Sequence, residues 1–148
     1  LCIFGITDIL ASVWNFENAG MTGRRIMDAA RKKILVVDDD PDALKMLSVI
    51  LENMGYGVVC AGTGKEALEK LENDAIDLVL LDVVMPDMDG YTFFQTLRSD
   101  VDKRDLPVIV LTGKPDMKEI FKMEGVSIVM DKPFEPQVLL SKINEMLS

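Results

Sequence analysis

The stretch Ile34-Leu35-Val36-Val37-Asp38-Asp39-Asp40-Pro41 decides the fold. Four aliphatic residues, half of them valine, run without interruption into three aspartates. A strand with one wet face would alternate apolar and polar residues. A continuous run suits a strand buried on both faces of a parallel sheet. Asp40-Pro41 then offers a helix N-cap followed by proline at the first helical position, where its missing N–H costs nothing. Leu44, Leu47, Ile50, Leu51 and Met54 recur at helical spacing, and Gly55 stands where a terminating glycine belongs.

The same unit repeats outward from this stretch. Gly57 to Ala61 reads as a second strand, and Thr63-Gly64-Lys65-Glu66 as a capping box that opens a helix carrying Ala67, Leu68 and Leu71. Ile76 to Leu81 is a third strand, ending at Asp82. Pro86 and Asp89-Gly90 mark a loop before a helix from Tyr91 to Arg98. Val108 to Leu111 is a fourth strand, ending at Thr112, and Asp116 to Met123 a brief helix. Val126 to Met130 is a fifth strand, followed by Lys132-Pro133, and Gln137 to Leu147 closes as a helix. Five strands alternating with five helices in 116 residues (148 − 32) specify an α/β fold with a single five-stranded parallel sheet. Right-handed crossovers make it doubly wound, with helices on both faces.

Residues 1–31 read as an N-terminal tail or leader, without period or strand pattern, and 32–148 as the folded domain. The apolar start from Leu1 to Trp14 is interrupted by Asp8 and falls short of the roughly 20 residues a membrane span needs. Its basic cluster (Arg24, Arg25, Arg31, Lys32, Lys33) follows the apolar part, the reverse of a secretory signal. Leu1 is not methionine, so the sequence is read as beginning upstream of the true start, which is expected at Met21 or Met27.

Composition narrows the chemistry. Sixteen basic against 25 acidic residues give a net charge of −9, with no histidine. Such a balance argues against a nucleic-acid face, which needs clustered Lys and Arg. Without histidine there is no imidazole base and no Cys/His zinc site. Two cysteines, Cys2 and Cys60, are too few for a disulfide framework, which favours a reducing, cytoplasmic setting. Cys60, in an aliphatic strand, reads as a small core residue.

In open parallel sheets, ligands bind beyond the carboxyl ends of the strands. The polar residues converge there: Asp38 and Asp39 after the first strand, Asp82 after the third, Thr112 after the fourth, Lys132 after the fifth. Three crowded carboxylates repel one another and call for protonation or a cation. Hard oxygens suit Mg²⁺, which favours one or two carboxylates plus a phosphoryl group. Lys132 and Thr112 are the point charge and hydroxyl donor that phosphoryl oxygens require. An aspartate can itself act as nucleophile. The site reads as phosphoryl transfer to a carboxylate.

Taken in order, Ile34 to Asp40, Leu81-Asp82-Val83-Val84-Met85-Pro86-Asp87-Met88-Asp89-Gly90, Val110-Leu111-Thr112-Gly113 and Lys132-Pro133-Phe134 resemble the receiver domain of two-component response regulators. The resemblance covers roughly Lys33 to Ser148. It implies that Asp82 accepts a phosphoryl group from a histidine kinase or phosphotransfer protein. It further implies that Asp39 and Asp82 bind Mg²⁺ directly with the backbone carbonyl of Val84, and that Asp38 acts through a coordinated water. Thr112 and Lys132 would then bind phosphoryl oxygens, and Lys132-Pro133 would be cis. Related flavodoxin-like folds order their strands 2-1-3-4-5, and we adopt that order. The family is a signalling phosphoacceptor, at most catalysing its own phosphorylation and dephosphorylation. The expected partners are the kinase or phosphotransfer protein and a downstream protein, with no nucleic acid and no membrane insertion. The chain stops directly after its last helix, which reads as a stand-alone regulator, or as the terminal receiver of a longer hybrid protein.

Other residues take plainer readings. Asp40 is a cap, Asp87 and Asp89 are turn residues, and Lys114 is a solvated loop charge. Val129 occupies the position, three before Lys132, where the family ordinarily carries an aromatic that reports phosphorylation. The segment from Thr112 to Lys132 is also short for the family. Both departures predict a monomer that phosphorylation does not dimerise. Val84 and Lys114, two places after Asp82 and Thr112, would tune the lifetime of the acyl phosphate. Two rivals remain. One is a haloacid-dehalogenase-like phosphatase using Asp38 and Asp40, opposed by the immediate Pro41. The other is a phosphorylation-independent binding module with a receiver-like fold.

Overall fold

The computed structural model describes residues 31–83 and 90–148. The elements run β1 (Lys33–Val37), α1 (Pro41–Asn53), β2 (Gly57–Ala61), α2 (Gly64–Asn73), β3 (Leu78–Asp82), α3 (Gly90–Ser99), β4 (Val108–Thr112), α4 (Pro115–Met123), β5 (Ile128–Asp131) and α5 (Pro136–Leu147). All strand pairs are parallel, and the order is β2-β1-β3-β4-β5, as expected for a doubly wound flavodoxin-like sheet.

Why the strands are apolar throughout follows from the two cores they serve. Ile34 and Val36, Leu78 and Leu80, and Ile109 and Leu111 project to one face, where Leu47 and Leu51 of α1 and Leu139 and Ile143 of α5 cover them. The alternate residues Leu35 and Val37, Val79 and Leu81, and Val108 and Val110 project to the other face. There they meet Ala67 and Leu71 of α2, Phe93, Phe94 and Leu97 of α3, and Phe121 of α4. Side chains alternate along a strand, so a sheet covered on both sides needs an apolar residue at every position. The two edge strands, β2 and β5, are the exceptions, and no residue of β5 is fully buried. The first four residues of β2 are only half-buried, and Cys60 accordingly is not a core residue but lies half-buried with Sγ 3.0 Å from Ser48 Oγ.

Local signals act largely as read. Asp40 caps α1 by accepting from the Asp42 N–H at 3.0 Å. Gly55 adopts φ +91°, in the region only glycine enters freely. Thr63 caps α2 by accepting from the Glu66 N–H at 3.1 Å, but the Glu66 carboxylate returns to the Gly62 N–H at 2.9 Å rather than to Thr63. Two strand boundaries move. Ile76 stays in the loop before β3, packed against the core, and the ladder runs on to Asp82, in register with Leu111. Val126 donates its N–H to the Phe121 carbonyl at 3.0 Å, closing the end of α4, so β5 starts at Ile128. An apolar residue near a strand is therefore not yet a strand residue. The compact unit of the described residues runs from Lys32 to Ser148.

Candidate functional site

The carboxyl ends of β1, β3, β4 and β5 meet at one edge of the sheet. Asp38 continues β1, with its N–H donated to the Ala61 carbonyl at 3.1 Å, and is 3% exposed. Its two oxygens have separate partners. Oδ1 accepts from the Asp40 N–H at 3.0 Å and Oδ2 faces Lys132 Nζ at 3.2 Å. The cap residue of α1 thus holds Asp38 in place through its own backbone. Asp82, last in β3, is 8% exposed, and its Oδ1 lies 3.3 Å from the same Lys132 Nζ. Asp39 is exposed beside them.

One carboxylate oxygen from each of Asp38, Asp39 and Asp82 lies within 4.8 Å of the others. Among the described residues this is the single acidic group with such geometry. Among the described residues, Lys132 lies within salt-bridge reach of both Asp38 and Asp82. Burial alone would push the Lys132 ammonium towards neutrality. The charges of Asp82 and Asp38, with their hydrogen bonds, outweigh that and hold its pKa above the ordinary lysine value. Burying carboxylates is costly unless positive charge is near. Three against one leaves a deficit that an oxygen-seeking divalent cation fits.

Thr112 ends β4 in register with Asp131, one residue before Lys132, whose N–H is given to the Thr112 carbonyl at 2.9 Å. Its hydroxyl is buried and occupied. It accepts from the Lys114 N–H at 3.0 Å and approaches the Lys114 carbonyl at 3.4 Å. Lys114 itself is exposed, as read. The Lys132-Pro133 peptide is cis, which continues the chain into α5. Val84, Asp87 and Asp89 lie outside the described residues.

Sequence reasoning missed one member. Gly90 was legible only as a turn, yet a Cβ there would come within 2.6 Å of the Asp82 carbonyl oxygen and of Val83 Cα. Its N–H also bonds the Val83 carbonyl at 2.7 Å. The first residue of α3 thus lies against the backbone of the site, and only glycine fits. Pairing Gly90 with the strand-end acid across the short loop would have been the available signal.

A five-stranded doubly wound sheet with clustered strand-end aspartates, threonine and lysine defines a class of signalling receiver. The chain matches the family described as response regulator receiver domain over residues 34–144, and it belongs to that family. It is 35% identical over 123 residues to the DNA-binding response regulator MtrA of Mycolicibacterium smegmatis, covering 82% of this chain and 53% of that protein. The chain therefore spans about half the length of that curated relative. Among solved structures it is similar to the chemotaxis protein CheY4 of Vibrio cholerae, with TM-score 0.74 and 34% identity over 80% of this chain and all of that one. It is also similar to the response regulator TrrA of Thermotoga maritima in complex with Mg²⁺-BeF, with TM-score 0.71 and 32% identity over 78% of this chain and 99% of that one.

Proposed function

We propose that the domain receives a phosphoryl group on Asp82 from a phosphohistidine of a histidine kinase or phosphotransfer protein. The observation that carries this is the unbalanced cluster of Asp38, Asp39 and Asp82 around Lys132. An Asp82 carboxylate oxygen forms the new O–P bond as the P–N bond to the donor imidazole breaks, and the electron pair returns to that nitrogen. Lys132 stays protonated throughout, because its raised pKa keeps it charged at any physiological pH. Its ammonium exchanges a carboxylate partner for a phosphoryl oxygen. Thr112 can donate one proton, and a phosphoryl oxygen competes for it with the Lys114 carbonyl. Asp38, Asp39 and Asp82, with the Val84 carbonyl, would hold Mg²⁺. The ion would supply neutralisation of phosphoryl charge. The described side chains fit that role, since all three present hard oxygens in one small volume.

In this reading the domain is a phosphoacceptor rather than an enzyme acting on a released substrate, and residues 1–31 lie outside it. No described helix is long and apolar enough to cross a membrane. The scarcity of cysteine supports a cytoplasmic setting, and Val129 with the short Thr112–Lys132 segment supports a monomer. MtrA is named as a DNA-binding protein, but the matched region is only 53% of it. The exclusion of nucleic acid accordingly applies to the receiver alone. A downstream protein partner would read the phosphorylated face.

Acetyl phosphate with Mg²⁺ tests the reading directly. Intact-mass spectrometry should show one phosphoryl adduct, mapped to Asp82 and lost in Asp82→Asn. An adduct on Asp38 would support the phosphatase-like alternative. No adduct would support the phosphorylation-independent module.

A further inference from the structure

Helix α4 is tethered to the site at both ends, by contacts of different kinds. At its start, Lys114 precedes Pro115 and its N–H is held by the Thr112 hydroxyl at 3.0 Å. At its end, Glu124 accepts from Tyr91 Oη at 3.2 Å and from Gln95 Nε2 at 3.0 Å, while Gln95 also donates to Tyr91 Oη at 3.1 Å. Beneath this polar cluster, fully buried Phe121 receives Tyr91 and Phe94 edge-on, with ring centroids 5.9 and 5.5 Å away. Tyr91 follows Gly90, which is fixed to the Val83 carbonyl directly after Asp82.

We propose that the Tyr91–Gln95–Glu124 cluster and its aromatic base form an anchor. It fixes the C-terminal end of α4 to α3, so that any movement started at Thr112 is confined to the N-terminal half of α4. This rests on the reading of Asp82 as phosphoacceptor and deepens it. A hydroxyl has one proton, so donation to a phosphoryl oxygen ends the Thr112 donation to the Lys114 carbonyl. The rotation that carries Oγ towards the site also draws it away from the Lys114 N–H it now accepts, and frees the start of the helix. The other end keeps two edge-on aromatic contacts and two hydrogen bonds to Glu124, none of which involves Thr112. Interdigitated aromatic packing yields far less readily than one exposed turn. The helix therefore pivots about Phe121 rather than sliding. Donation to Glu124 raises the Tyr91 pKa, so the phenol keeps its proton and the cluster persists across neutral pH.

The geometry gives Tyr91 a task that Val129 cannot perform. Val129 is β-branched, nearly fixed at χ1, and partly buried against the α2–α4 core. With no aromatic on β5 to turn, the ring on α3 sets which part of α4 answers to the site.

Amide hydrogen exchange on the full chain tests the anchor, with and without Mg²⁺ and beryllofluoride, in the parent, Tyr91→Phe and Glu124→Gln. In the resting protein, Tyr91→Phe should speed exchange of the Glu124, Gly125 and Val126 amides by about 2- to 10-fold, the range for losing one net hydrogen bond. The Lys114 amide should stay unchanged. Beryllofluoride should speed exchange only up to Lys118 in the parent, and through Glu124 in both variants. Unchanged exchange at Glu124 to Val126 in both resting variants would overturn the anchor, as would a beryllofluoride response spread evenly along α4 in the parent. No beryllofluoride effect at Lys114 would overturn the phosphoacceptor reading, and the pivot with it, whereas the resting-state comparison judges the anchor independently.

Discussion

The two ends of the sheet use the same residue types to opposite effect. At the amino end, Lys33 pairs with Asp74 at 3.3 Å and Lys32 with Asp77 at 4.0 Å, every side chain at least 30% exposed. Each cation has one anion, and water screens both. At the carboxyl end, Asp38 and Asp82 are nearly inaccessible, Asp39 joins them, and Lys132 lies within salt-bridge reach of both buried acids. Balanced, wet charges stabilise little and do nothing further. Unbalanced, buried carboxylates leave a demand for positive charge, which a divalent cation would meet. The difference lies in stoichiometry and burial, not composition.

The strongest way to break that contrast is to remove a carboxylate from the crowded end. Asp39→Ala leaves two acids against Lys132, a balance closer to that of the amino end. It should abolish Mg²⁺ binding and acetyl-phosphate labelling while leaving the fold intact, since Asp39 is exposed. Isothermal titration with Mg²⁺ and intact-mass analysis check both. Labelling equal to that of the parent would mean that the cluster is ornamental.

Removing the cation instead should cost stability. Lys132→Met leaves Asp38 and Asp82 without their shared ammonium, a loss of about 1.5–3 kcal/mol by the worth of hydrogen bonds to charged groups. The sign of its pH dependence follows from the raised pKa. The stabilisation is fully present below the unfolded lysine value of about 10.4 and is lost as pH rises through the higher folded value. Urea denaturation of parent and variant should therefore differ by a constant amount between about pH 6 and 9 and converge only under strong alkali. A gap that closes near neutrality would mean that Lys132 does not carry the interaction.

Glycine sharpens the comparison within the carboxyl end. A methyl at Gly90 meets backbone on two sides, where nothing flexible can yield. Overpacking of this kind costs about 1–3 kcal/mol, and the displaced Asp82 backbone should slow phosphorylation as well. At Gly113, next to Thr112, a Cβ meets nothing within 4 Å. Gly113→Ala should be close to neutral in thermal melting, and equal losses at the two positions would show that the clearance at Gly90 does not matter.

Much of this was legible beforehand, for identifiable reasons. Uninterrupted aliphatic runs ending in acids gave the parallel sheet, because only a doubly covered strand tolerates Ile34 to Val37 without a polar break. Chain order then brought Asp38, Asp82, Thr112 and Lys132 to one edge, since all parallel strands end on the same side. What escaped depends on distances between elements. The half-exposed position of Cys60 follows from β2 being an edge. The contact of Gly90 with Asp82 depends on how α3 seats, and the Tyr91–Gln95–Glu124 cluster joins residues up to 33 positions apart. No period or cap encodes such contacts. They belong to packing.

The smallest expected effect lies at the amino end, and it tests the comparison from its quiet side. Lys33 is anchored twice in sequence-distant fashion. Its N–H donates to Asp77 Oδ2 at 2.8 Å, and its ammonium pairs with Asp74. Replacing the side chain leaves the backbone bond in place, so Lys33→Ala removes only the exposed ion pair. A double-mutant cycle with Asp74→Ala should give a coupling of about 0.2–1 kcal/mol, shrinking further at high salt as the Debye length falls to about 3 Å at 1 M. Raising salt should by contrast leave the Lys132→Met deficit largely unchanged, because Asp38 and Asp82 are screened from bulk ions by burial. If the Lys33–Asp74 coupling instead exceeded the Lys132 deficit, or resisted salt equally, burial would not be what separates the working end of the sheet from the structural one.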